Sequence, residues 1–149
     1  MAAHAAYTGC MLRALHVFAW LLALTAAQAA TEALGHARSA GARGYELLAM
    51  ATRALALARS GSTEEAATLA GEVSERVRGR TDVERAEQIH LSVALTFALA
   101  GASERAGAAL AKARAVVEGR LGQIRDERLR ETYLGSQLVR AIREGALPT

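Results

Sequence analysis

The sequence predicts an all-α chain: an array of about three antiparallel helical hairpins, an α-solenoid, with a closing helix at its carboxy end. Three observations carry that prediction. Gly61-Ser-Thr-Glu-Glu-Ala66 and Gly101-Ala-Ser-Glu-Arg-Ala106 repeat one small pattern forty positions apart, each closing an apolar run and opening an alanine-rich one. Alanine makes up about a quarter of the residues, Pro occurs once and Asn is absent, a helix-favouring bias. No alternating Val/Ile/Thr-rich segment argues for a strand.

The repeated pattern has a physical reading. Glycine releases the chain from one helix, because it reaches the left-handed region without a Cβ clash. Ser or Thr followed by acids starts the next helix by capping free amides and complementing its dipole. A small Ala five residues after the glycine then lets the two helices approach closely.

The elements follow in order. The first hairpin is expected over 6–40, as helices 6–25 and 28–39, with Thr25 where the other hairpins carry a turn glycine. The second covers 44–79, with helices 45–59 and 63–78; Leu47, Leu48, Ala51, Leu55 and Ala58 give its first helix one apolar face. The third covers 81–124. Thr81 and Asp82 are expected to cap a helix reaching Ala100, with Ile89, Val93 and Phe97 inward, and a second helix spans 103–124. Asp126 is expected to cap the closing helix, 126–144, which Gly145 and Pro148 end.

The 149 residues are one domain's length, long enough to bury a core without staples. Net charge is only +3, and the basic residues are dispersed among acids, so no patch dense enough to read nucleic acid is expected. Cys10 stands alone, which excludes an internal disulfide. Around Arg13 the amino-terminal stretch admits two readings. The apolar run 14–27 followed by Ala27-Gln28-Ala29 has the anatomy of an export signal, residues 1–29, cleaved to release a secreted or periplasmic helical protein. Otherwise the same run is the buried first helix of a cytoplasmic protein. It is too short for a comfortable membrane span, which needs about 20 residues.

Gly61 and Gly101, each with an Ala five residues on, resemble the inter-helix turn of tetratricopeptide-like (TPR-like) repeats. The unit of forty residues is similar to the degenerate repeats in the tails of large bacterial signalling proteins, among them serine/threonine kinases and NTPase-coupled regulators. Ile124-Arg-Asp-Glu-Arg-Leu129-Arg-Glu-Thr-Tyr133-Leu134 resembles the segment that closes such tails. The resemblance implies a protein-binding scaffold, the non-catalytic part or a fragment of a signalling or regulatory protein.

Little else in the chain points to chemistry. Glu87-Gln-Ile-His90 sets a carboxylate and an imidazole on one helix face, the spacing of carboxylate-bridged di-iron bundles, but it has no second copy. Ser60, Ser62 and Ser103 stand at turns, where a hydroxyl caps a helix. No glycine-rich phosphate loop or nucleophile elbow is present. The expectation is therefore a binding protein, not an enzyme, with no catalytic residue, metal or cofactor. Its partner would be a protein or peptide, and not a membrane. In a hairpin array the first helix of each pair lines the concave face. The candidate groove residues are Leu48, Ala51, Leu55 and Ala58 from one hairpin and Gln88, Leu91, Leu95 and Ala98 from the next. If open, they suit an amphipathic helix; the same faces suit self-association through uncapped ends.

Overall fold

The computed structural model describes residues 2–80 and 82–145, with side chains described at 19 and from 21 on. Seven helices and no strand occur among them: α1 (Ala2–Ser39), α2 (Arg43–Arg59), α3 (Thr63–Val77), α4 (Ala86–Leu99), α5 (Ser103–Gln123), α6 (Glu127–Gly135) and α7 (Gln137–Glu144). The expected Thr81 cap and Pro148 lie outside the described residues.

The helices pack in chain order. α1 lies on α2, α2 on both α3 and α4, α3 on α4, α4 on α5, and α7 on α5. One core runs through the array, from Leu34 through Met50, Val73, Ile89, Phe97 and Val117 to Ile142. Alanines set the spacing: Ala51, Ala54, Ala66, Ala70, Ala94 and Ala113 have no exposed surface, so the helix backbones meet closely and the larger Val and Ile side chains fill between them.

Three turns share one hydrogen-bonding scheme. After α2, Ser62 N–H donates to the Leu57 carbonyl (2.9 Å) and Gly61 N–H to Ala58 (3.2 Å), with Gly61 at φ +93°. After α4, Ala102 donates to Phe97 (2.8 Å) and Gly101 to Ala98 (3.0 Å). After α1, Ala42 donates to Ala37 (2.9 Å) and Gly41 to Arg38 (3.1 Å). Each is a glycine-closed helix end in which the last carbonyls are satisfied before the next helix begins.

The structure corrects the expected first hairpin. No turn occurs at Thr25: α1 is one helix of 38 residues. Nothing in Thr25-Ala-Ala-Gln28 breaks a helix, and the Thr25 hydroxyl, expected at a turn, donates instead to the carbonyls of Leu22 (2.9 Å) and Leu21 (3.2 Å) within the helix. The hairpin partner of α2 on its amino side is thus the last part of α1, joined through Gly41. Two further boundaries move. α4 begins at Ala86, not at 82, because Arg85 takes a left-handed conformation (φ +56°) and Asp82 pairs with Arg80. The closing helix is broken at Ser136, whose extended backbone ends α6 and whose hydroxyl accepts from Val139 N–H (3.4 Å) to start α7. Asp126 caps α6 as expected, accepting from Leu129 N–H at 3.0 Å.

Candidate functional site

The residues expected to form a concave groove lie on α2 and α4, which pack together, but not as one open surface. Ala51 has no exposure at all and Ala58 is buried; both belong to the interhelical core and are no part of a groove wall. Leu48, Leu55, Gln88, Leu91, Leu95 and Ala98 are half-buried. Leu48, Leu91 and Ala98 pack against the core at its edge. The physical reason is that α2 packs against α1, α3 and α4, and this leaves Ala51 and Ala54 with no exposed surface.

Leu48 belongs instead to an apolar groove between α1 and α2, with a volume of about 780 Å³. One wall is the α1 strip Ala26, Ala29, Ala33 and His36; the other is Tyr45, Leu48 and Thr52 of α2. No Asp, Glu, Lys or Arg lines it. Thr52 donates its hydroxyl to the Leu48 carbonyl (2.9 Å), so this polar group is satisfied within its own helix. Tyr45 stands half exposed (49%) at the rim. The groove was missed in the sequence because alanine signals close packing without saying which partner it packs against. Its periodic strip at 26, 29, 33, 37 and 40 was the available sign.

Glu46, beside the groove, is paired. Glu46 of α2 joins Arg38 of α1 (3.1 Å) and Arg76 of α3 (3.2 Å), and Arg76 also meets Glu72 (2.6 Å). Arg78 pairs with Glu75 (2.5 Å) and Arg80 with Asp82 (3.2 Å). The arginines that crowd the end of α3 are therefore balanced locally. The hydrogen bond to Arg80, followed by a backbone bond, holds the Asp82 carboxyl below its ordinary range.

Glu87 and His90 are both buried on α4 but do different things. Glu87 Oε1 accepts from Arg120 Nη1 at 2.6 Å, so the carboxylate is held by a guanidinium of α5. His90 borders a separate cavity of about 390 Å³ beside Arg80, Arg120 and Gln123. Burial, and then the charge of Lys112, push its imidazole below the ordinary histidine range and favour the neutral form. Tyr133 of α6 is shifted the other way, by burial and then by the nearby Glu87 charge. Among the described residues no three His, Cys, Asp or Glu side chains converge to hold a metal ion. Ser60 lies at the end of α2, its hydroxyl donating to the Leu57 carbonyl (2.9 Å). Ser62 takes the N-cap position of α3 without a side-chain bond, and Ala102, not Ser103, is the N-cap of α5. The Cys10 side chain lies outside those described.

Fold and groove together define an all-helical array with an uncharged apolar seat along its first hairpin. No protein-family model, curated protein or solved structure matches the chain. Among the described residues no helix is long and apolar enough to cross a membrane.

Proposed function

We propose that this protein is a protein–protein interaction module, a TPR-like array that holds an apolar helix in the groove between α1 and α2. The observation that supports it is the uncharged lining of that groove, about 780 Å³ in volume and flanked by paired ions. An apolar cleft of that volume suits a helix that presents anchors at i, i+3 or i+4, and i+7. Binding rests on shape and apolar burial, worth about 25 cal/mol per Å² of surface removed from water. No bond is made or broken, and no metal or cofactor is required. The repeat resemblance adds the setting: a scaffold in a bacterial signalling or regulatory protein of the cytoplasm.

Photo-crosslinking tests the groove. A benzophenone amino acid replacing Tyr45, at the exposed rim, is expected to capture a polypeptide whose crosslinked segment is apolar and helical. Ala33→Arg, which places a cation in the exposed part of the seat, is expected to abolish capture while leaving helicity intact. Capture that is indifferent to Ala33→Arg defeats the proposal.

A further inference from the structure

We infer that the occupant of the groove is the amino-terminal half of α1 from a second copy of this chain, exchanged reciprocally so that two copies pair antiparallel along their α1 helices. The inference rests on the groove reading above and names its partner.

Helix lengths come first. α1 has 38 residues and α2 only 17, and they are joined by a short turn at Gly41. α2 is therefore long enough to cover only the later part of α1, and among the described side chains α1 is buried at Ala23, Ala30, Leu34 and Ala37. At 1.5 Å per residue, the helix before Ala23 is an extension of about 30 Å. This extension is poorly suited to water. Residues 14–31 include Val17, Phe18, Trp20, Leu21, Leu22 and Leu24 and contain no Asp, Glu, Lys or Arg. Where the extension leaves the body, Leu21 and Leu22 are 50% and 55% exposed.

The chain does not fill its own groove with this segment. A fold-back would need a turn near Thr25, where the helix is continuous and the threonine hydroxyl is engaged within it. A helix that runs straight where a hairpin would close on itself hands its packing face to another molecule, the logic of exchange between copies.

The faces also agree. Leu22 stands four residues before Ala26 and so continues the groove strip formed by Ala26, Ala29 and Ala33. In an antiparallel pair with its two-fold axis near Ala26, Leu22 of each copy falls beside Ala30 of the other, a large side chain against a small one. The groove wall from Ala26 to Ala40 is about 21 Å long, which an extension of about 30 Å covers. Residues 14–31 carry no Asp, Glu, Lys or Arg and neither does the groove lining, so apolar burial along this stretch is not opposed by ion desolvation; Arg13 lies just beyond it. The contact is isologous: both seats fill at once, and the pair closes without growing into a fibre.

Sedimentation velocity on the full chain at micromolar concentration tests this. The expected mass is twice 15.7 kDa. Leu22→Arg and Ala33→Arg, both at exposed positions, are each expected to halve it, with far-UV circular dichroism and the melting of the body unchanged. Gln28→Arg, on the far face of α1, is expected to leave the dimer intact. In a Cys10→Ser background, Ala26→Cys is expected to form a disulfide with its own counterpart on oxidation. A dimer that survives both arginine variants overturns the inference, and so does a monomeric wild type. If that monomer still captures helices at position 45, the groove reading stands without self-pairing; if it captures none, both fall.

Discussion

Arg120 of α5 donates to a carboxylate oxygen of Glu87 on α4 at 2.6 Å, and the two side chains differ sharply in exposure, 40% against 8%. The acid is buried in the α4–α5 contact while the base reaches it from the edge. That difference makes the pair asymmetric under mutation.

Arg120→Ala leaves a carboxylate buried without its cation, and it is expected to cost about 2 kcal/mol. Glu87→Leu removes the buried charge and leaves an arginine that can turn its head to water, so its expected cost is under about 1 kcal/mol. Urea denaturation of the two variants checks the order. An equal loss in both would show that the pair, not the buried acid, carries the effect.

His90 gives the fold a pH dependence of definite sign. Unfolded, a histidine takes its proton near pH 6.5; folded, His90 takes it at lower pH because burial and the Lys112 charge oppose the cation. Between those values the unfolded chain holds more protons, so stability rises with pH. It is fully present above about pH 6.5 and is lost as pH falls through the folded value. His90→Leu is expected to flatten this slope in denaturation curves measured from about pH 7.5 down to 5.5. An unchanged slope would assign the loss to other groups.

Arg114 of α5 caps the end of α7, donating from Nε to the Ile142 carbonyl (3.1 Å) and from Nη2 to that of Arg143 (3.2 Å). Ile142 and Val139 beneath it are essentially unexposed. Ile142→Ala is expected to cost about 2–4 kcal/mol and Arg114→Ala about 1 kcal/mol. Hydrogen exchange should show α7 amides losing protection in Arg114→Ala while those of α2 to α4 keep theirs.

The turn glycines and a helix glycine should respond oppositely to alanine. Gly61 and Gly101 have φ of +93° and +74°, where a Cβ is strained, so each Gly→Ala is expected to cost about 1 kcal/mol. Gly35 lies inside α1 with nothing within 4 Å of an added Cβ, and Gly35→Ala is expected to raise stability by about 0.5–1 kcal/mol. Thermal melts of the three variants test the contrast.

The sequence by itself determined the helical character of the chain and the register of its middle. Gly61 and Gly101 release the chain locally, and apolar residues at helical spacing select the inward faces, so α2, α3 and α5 begin and end within two residues of the expected bounds. Asp126 was equally legible, because a cap acts on amides only three residues away. Tertiary structure decided what depends on distant neighbours. Thr25 could stand at a turn or inside a helix, and its hydroxyl satisfies itself in the second. Ala51 could line a groove or fill a contact, and the packing of the other helices on α2 made it core. Alanine explains both the success and the failure. It favours helix wherever it stands, but its small side chain does not specify which helix will lie against it, and so the open strip along α1 became visible only once α2 was in place.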